Sequence, residues 1–502
     1  MAHDRMKKVI PPNTTCENVT DATPSGHKPA DLRRSILIQP SSFALLGFFL
    51  TISYGTLLGH VLWGPLVAQT SLSVGLVIAR RTLEALGFLG IALCRKRLAQ
   101  LSDKRSLLLF ACTMCTMAAL LSSAARMDPS LLVPAIAAGL IGFVAHTLLW
   151  MAWAELYARM DMLHVIVLCL LAHACSALLS FPTAHVAVWC AGVTATLAPA
   201  LSVLLLQRAS GLLDAAGFSK EKATDTVPCS FPTRPVALMA SFSLCNQFVR
   251  SGLAQAEQTY AMLGVILVCS GTAVVALRRG MGRFNLWMVA GLAFTLELAG
   301  AFGPLLNQAG PLVAASVCTT TGSALFSTFI TVTLCNVSFR YGTSALFLFG
   351  VTQAAERLAS LAGQALSWTS AGWNQGAITC AVMATCLLLA LTYVLAMTHG
   401  TGDVAPGETP TWGATSFRNE GGGTSEAEIE RRCSTLARAA GLTRREEEVL
   451  LLLAQDLCAS DIQARLILAN ATVKTHTQAV YRKLGVHSRQ EVVDLVQGQL
   501  GK

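Results

Sequence analysis

Between residues 41 and 397 the chain completes one apolar run after another. Each is about the twenty residues that a helix needs to cross a bilayer core of about 30 Å. The candidate spans are 41–63, 71–93, 106–125, 131–153, 162–181, 184–206, 236–255, 258–277, 285–306, 311–334, 343–366 and 375–397. A chain so patterned has few options, because backbone amides in hydrocarbon must be satisfied within the membrane structure itself, and helices do this segment by segment. Composition agrees: 53% of the 502 residues are hydrophobic and 13% are charged, about half the charged share of a soluble domain. The expected fold is all-α, a polytopic twelve-helix transmembrane bundle followed by a small C-terminal four-helix domain. A polar stretch at 207–235 separates two six-helix halves, 41–206 and 236–397. Their near-equal length suggests duplication, although no strong residue-level repeat is visible.

Charge orients the bundle. Alternate connections carry "CRKRLAQLSDKR" at 94–105, Arg208 with Lys220, Lys222 and Arg234 centrally, and "RRGMGR" at 278–283; the intervening ones carry little beyond Arg126 and Arg250. Positive charge stays on the cytoplasmic side, so both termini are expected there, in a multi-pass protein of the cytoplasmic (inner) membrane. Trp63, Trp368 and Trp373 fall near outer ends, as interfacial anchors would. Residues 1–40 begin rich in Pro, Thr, Asn and charge and read as a disordered cytoplasmic tail, not a signal peptide. The glycosylation patterns at Asn13 and Asn18 are then chance matches. Sixteen cysteines are scattered through the chain, and in apolar segments Cys acts as a small buried hydrophobe. Cys112 and Cys115 form the only CxxC, inside an apolar span without partner ligands, so neither metal nor cofactor is expected.

Six ionisable residues interrupt the apolar runs near span centres: Arg80, Arg81 and Glu84 in the second, Glu297 in the ninth, Glu356 and Arg357 in the eleventh. Each facing lipid would cost roughly 2.5–3.5 kcal/mol, so they are expected to face a protein interior or a wet cavity and to pair. Three basic and three acidic groups balance, and Arg80 can meet Glu84 one helical turn away. The set is compatible with an internal salt-bridge network, with the lining of a ligand cavity, or with a proton path. His146, His164 and His173 read as hydrogen-bonded packing residues.

Two blocks of six spans about a cytoplasmic middle loop resemble the major facilitator superfamily. The resemblance covers 41–397 and is one of architecture; "QLSDKR" at 100–105 is faintly similar to that family's loop between its second and third helices. It implies a transporter-like bundle, and no substrate site is carried over from it.

After the last span, residues 398–424 read "THGTGDVAPGETPTWGATSFRNEGGGT", a composition of flexible linkers. Helix-start chemistry then recurs. Ser425 precedes Glu428 by three residues, Thr443 precedes Glu446, Ser460 precedes Gln463 and Ser488 precedes Glu491, the spacing at which side chains reciprocally cap orphan amides. A connecting helix at 425–441 and a domain at 442–502 follow. Apolar residues keep helical spacing behind these starts: Val449, Leu450 and Leu453; Ile462 and Leu466; Val473, Thr477, Val480 and Leu484; Val492, Val493 and Val496. The interval at 467–470 is only a few residues long, as in a helix-turn-helix. On a helix from 470 to 484 the outward or flanking residues are Thr472, Lys474, Thr475, Gln478 and Arg482. They suit a phosphate-flanked groove, or simply a solvated face. Residues 400–502 hold 12 Lys/Arg against 13 Asp/Glu, so no broad basic footprint accompanies them.

"LTRREEEVL" at 442–450, Ile462 and Leu466, "TVKTH" at 472–476, and "KLGV" at 483–486 with Arg489 resemble, in order and spacing, the DNA-binding domain of LuxR-type transcription regulators. The resemblance implies a four-helix domain whose third helix enters the major groove of double-stranded DNA, usually as a homodimer on paired half-sites. By position it carries Lys474, His476 and Lys483 onto the family's polar positions and Thr472 and Val473 onto its helix-opening pair. Lys474 is the leading DNA contact, and His476 either binds phosphate or holds the helix. Asp456, Gln463 and Ala469 depart from the family's Gly, Ala and Ser; at Ala469 a favoured cap is lost, which Asn470 can supply one residue later.

The residues together imply a membrane-anchored bacterial transcription regulator, not an enzyme: the chain has no P-loop, nucleophile elbow or zinc motif, and no receiver domain precedes the DNA-binding part. A small-molecule ligand, or a signal from the lipid bilayer, would act through the bundle. The alternative is a secondary transporter with a regulatory DNA-binding-like tail.

Overall fold

The computed structural model describes residues 40–160, 162–185, 188–215, 233–253, 258–279, 286–303, 309–341, 343–370, 372–398, 426–454, 462, 466, 470–486, 491–492 and 495–496. The expected tail, the 398–424 linker beyond Thr398, and the caps at Ser425, Ser460 and Ser488 lie outside these residues, as do Asp456, Gln463 and Ala469. The chain divides into two units, Met1–Trp412 and Gly413–Lys502.

In the first unit a described helix overlaps every expected span. They are α1 (Phe43–Ala68), α2 (Ser73–Leu93), α3 (Arg105–Ala125), α4 (Leu132–Tyr157), α5 (Met162–His185), α6 (Val188–Ala215), α7 (Thr233–Gly252), α8 (Gln258–Arg279), α9 (Leu286–Ala301), α10 (Ala309–Tyr341), α11 (Ala345–Ser370) and α12 (Gln375–Thr398). By length and apolar composition alone, eight described helices qualify to cross a membrane, not twelve. The ninth, α9, is apolar but 16 residues long. The others, α2, α7 and α11, fall short for one shared reason: they carry the polar and charged residues that the bundle turns inward. A helix facing a polar interior loses the uniform hydrophobicity that lipid requires of a fully exposed one.

Packing reveals the duplication that the residues hide. In the first half α1 packs on α5 and α6, α2 on α4, and α3 on α4 and α6. In the second α7 packs on α11 and α12, α8 on α10, and α9 on α10 and α12. The second set is the first advanced by six helices. Two seams, α2 on α11 and α5 on α8, join the halves and exchange under the same shift. At the α2–α11 seam the helices are close enough that a Cβ on Gly350 would come 2.7 Å from both the Phe88 carbonyl and the Ala92 methyl. One face of the seam is thus built for a residue with no side chain.

A short connection after α2 is held tightly. Gln100 adopts φ +60°, the left-handed region unfavourable to a residue with a side chain. The adjoining amides are fixed by Glu155 of α4, which accepts from Gln100 N at 2.8 Å and Leu101 N at 2.6 Å. The strain is therefore matched by two charge-assisted hydrogen bonds.

The second unit has its own core. Described helices are α13 (Glu426–Ala439), α14 (Arg444–Ala454) and α15 (Asn470–Leu484), with α14 packed on both others. Cys433, Val449, Leu450, Ile462, Val473, Val480, Val492 and Val496 are buried together, with Leu466 and Leu484 against them. Two helix ends use glycine at positive φ. Gly441 (φ +61°) precedes Leu442, whose N–H donates to Ala437 O at 2.8 Å, and Gly485 (φ +69°) precedes Val486, whose N–H donates to Tyr481 O at 3.0 Å. Both are six-to-one closures that turn the chain sharply out of a helix.

Candidate ligand cavity and nucleic-acid interface

A cavity of about 1020 Å³ lies between the halves of the first unit, a volume sufficient for a small organic molecule. Phe48 and Trp150 line it and meet edge-on, 5.8 Å between centroids, and Phe88 and Phe349 pack on Trp150 from outside the lining at 5.9 and 5.7 Å. The lining also takes in His60, Leu253 and Trp368, toward the C-terminal ends of α1, α7 and α11. Trp63, expected as an interfacial anchor, is 1% exposed and packs edge-on against Phe143 at 5.4 Å. Its ring is part of the wall that holds Arg80, so the expected interfacial position does not hold for it.

Five of the six expected charged residues line the cavity: Arg80, Arg81, Glu84, Glu356 and Arg357. Glu84 is their hub. Arg80 Nε donates to it at 2.9 Å, Arg357 Nε approaches from α11 at 3.1 Å, and Arg81 stands at 3.8 Å. Arg357 also pairs with Glu356 at 2.9 Å, and Ser360 donates to Glu356 at 3.2 Å. The pairing is electrostatic more than directional: Glu84 Oε2, Glu356 Oε2 and Arg357 Nε are buried without an aligned hydrogen bond. Arg80 is the most committed, since its guanidinium also lies 3.8 Å over the Phe143 ring, an arrangement that adds cation–π attraction. α1 makes room for it through a wide π turn at Leu57–Trp63, where a Cβ on Gly59 would come 3.0 Å from Arg80.

Glu297 is elsewhere. It is fully buried on α9, outside the cavity lining, and accepts a hydrogen bond at 2.8 Å from Asn246, which does line the cavity. The balance of three cations and three anions along the sequence is therefore not the balance in the cavity. Arg250, read from the sequence as part of a connection, belongs to α7 and faces the cavity. Its approach to the end of an apolar run concealed it. The lining holds Arg80, Arg81, Arg250 and Arg357 against Glu84 and Glu356. His146 and His173 also line it, and His146 Nε2 hydrogen-bonds the Thr51 carbonyl at 2.9 Å; His164 is buried.

In the second unit, α15 begins at Asn470 and ends at Leu484, the bounds expected of the recognition helix. Its two faces separate as the spacing requires: Val473 and Val480 are buried, while Thr475, Gln478 and Arg482 are exposed and Thr472 and His476 half-buried. Val473 thus serves the core and adds nothing to the outer face. Lys474 lies on the helix, with its side chain outside the described residues.

Lys483 is engaged within the domain. Its Nζ donates to Glu446 Oε2 at 2.7 Å and to the Gly441 carbonyl at 3.1 Å, tying the end of α15 to the start of α14. Glu446 also closes the expected capping box: Thr443 N donates to it at 2.7 Å, and its own N–H donates to Thr443 Oγ1 at 3.4 Å. The Lys483 hydrogen bond, then the Thr443 amide, hold the Glu446 carboxyl down at about 2, below the ordinary carboxylate range. Sequence alone cannot show this, since the partners are 37 residues apart.

Residues 440–496 match the family model for bacterial regulatory proteins of the luxR family, GerE. The first unit resembles solved transporters at low identity. The proton:xylose symporter XylE of the major facilitator superfamily, bound to 6-bromo-6-deoxy-D-glucose, aligns at TM-score 0.51 and 14% identity over 78% of this chain and all of that one. The E. coli fucose:proton symporter FucP aligns at TM-score 0.45 and 13% identity, over 72% of this chain and 98% of that one. Comparison with curated proteins gives no match. The apolar helices mark a multi-pass membrane protein. Its first unit has a fold similar to that of a major facilitator symporter, and its residues 440–496 match the luxR-family DNA-binding domain.

Proposed function

We propose that the protein is a membrane-anchored transcription regulator in which a twelve-span bundle in the cytoplasmic membrane senses a small molecule and governs a cytoplasmic DNA-binding domain. The observation that carries the reading is the luxR-family match at 440–496, within which α15 presents Thr475, Gln478 and Arg482 outward. Exposed Gln and Thr suit base edges and Arg suits phosphate. The positive-inside pattern supports cytoplasmic termini. Homodimer formation on paired half-sites follows from the resemblance, and control of dimerisation suits a domain joined through a Gly- and Pro-rich connection better than a rigid lever. The sensor role requires a ligand that binds two arrangements of the bundle unequally.

Footprinting with fragment 413–502, which has its own hydrophobic core, tests the DNA-binding part. Protection of discrete genomic sequences is expected. A folded fragment that protects none overturns the reading.

A further inference from the structure

The cavity lining is unevenly charged, and the unevenness has a location. Arg80, Arg81 and Arg357 converge on Glu84, and Arg357 also holds Glu356. Arg250 makes no hydrogen bond or ion pair with that cluster or elsewhere among the described residues, and Glu297, the buried carboxylate that acts on it, lies outside the lining. Among the described residues Arg81 has a single ion pair, at 3.8 Å. His60, on the π turn of α1, lines the same cavity as Arg80, Arg81 and Arg250. The cations of the lining come from both halves: Arg81 belongs to the first and Arg250 to the second. The same lining holds the rings of Phe48, Phe143, Trp150 and Trp368.

A surplus of guanidinium groups in a low-dielectric site is costly unless an anion completes it. Guanidinium also matches the planar, two-oxygen geometry of carboxylate and the oxygens of phosphate or sulfate. The geometry points to an organic anion with an aromatic or other flat apolar body as the ligand class, its charged group bridging Arg81 and Arg250 and its body against the rings. The bridge supplies the unequal affinity that sensing needs, because it is complete only when the two halves hold these arginines at matching distance. This assignment rests on the cavity being the sensor site, and binding can be measured apart from regulation.

The test uses the full-length protein in lipid nanodiscs and matched probes: benzoate, 2-naphthoate and phenyl phosphate, each against a neutral analogue (the two amides and phenol) and the cation 2-naphthylmethylammonium. Binding is read by quenching of tryptophan fluorescence and by the thermal unfolding midpoint. At least one anion is expected to bind tenfold or more tighter than its neutral analogue. Arg250→Gln and Arg81→Gln should each abolish that preference, Arg250→Lys should restore part of it, and Arg105→Gln, remote from the cavity, should leave it intact. Unliganded unfolding midpoints show whether each variant is folded. Absence of any preference for anions, or preference unchanged in folded Arg250→Gln, overturns the assignment. Anion binding with no effect on DNA occupancy upholds it and instead contradicts the sensor reading.

Discussion

Glu84 of α2 and Arg357 of α11 approach to 3.1 Å across the seam between the two halves, with the glutamate side chain 6% exposed. The pair joins the two halves, and Glu84 serves three guanidinium groups at once. Removing its charge leaves those cations facing one another. Loss of one partner of a buried pair costs about 3–5 kcal/mol. Glu84→Gln is therefore expected to lower the thermal midpoint of the solubilised bundle clearly. In a double-mutant cycle with Arg357→Gln, a coupling of at least about 1 kcal/mol is expected; additive effects would show that the pair does not join the halves.

A second prediction concerns the tight part of that seam. Gly350→Ala places a methyl 2.7 Å from the Phe88 carbonyl and the Ala92 side chain. Backbone must move, at a cost of about 1–3 kcal/mol. Gly90, on the same helix as Phe88, has nothing within 4 Å of an added Cβ. Gly90→Ala should leave the midpoint unchanged or raised slightly, and equal effects of the two substitutions would contradict the seam described here.

The Glu446–Lys483 link carries a pH signature. Glu446 has its folded value held at about 2, below the ordinary 4.5. A depressed carboxyl stabilises the fold above its unfolded value, and that contribution is lost as pH falls from about 4.5 through about 2. Lys483→Met removes the largest cause of the depression. Acid unfolding of fragment 413–502, followed by circular dichroism, should then begin at higher pH than in the wild type. An unshifted acid transition would show that the link contributes nothing to the domain.

The recognition helix allows a separation by salt. Arg482→Ala and Lys474→Ala should each weaken DNA binding nearly uniformly across sequences and reduce the slope of log affinity against log salt by about 1, as expected for a lost phosphate contact. Gln478→Ala should leave the slope and alter sequence preference instead. Identical behaviour of all three would assign the face to non-specific contact.

How much of this was legible beforehand differs by residue. The helices were, because a run of twenty apolar residues has one way to satisfy its amides, and the Thr443–Glu446 cap was, because its chemistry is local. The Arg80–Glu84 pair was legible for the same reason. Arg250 and Glu297 were not. A residue's depth along a span can be read from its position, but the direction it faces depends on which helix packs against it. Glu297 is enclosed where α9 meets α10 so closely that a Cβ on Gly322 would come 3.3 Å from the Glu297 amide. Trp63 was misread as a membrane anchor because interior and interface use the same indole, and Arg80 recruits it inward. Lys483 reads in sequence as one more basic residue of a DNA-facing helix; only the fold brings Glu446 to it.

The central claim is that a membrane protein of transporter fold acts on DNA through α15. Genome-wide occupancy of the intact, membrane-embedded protein tests it most directly, alongside a version ending at residue 399. Discrete occupied sites that vanish with the truncation, while the bundle remains in the membrane, are the predicted result. An intact protein that occupies no discrete sites, or whose occupancy survives loss of residues 400–502, would contradict it.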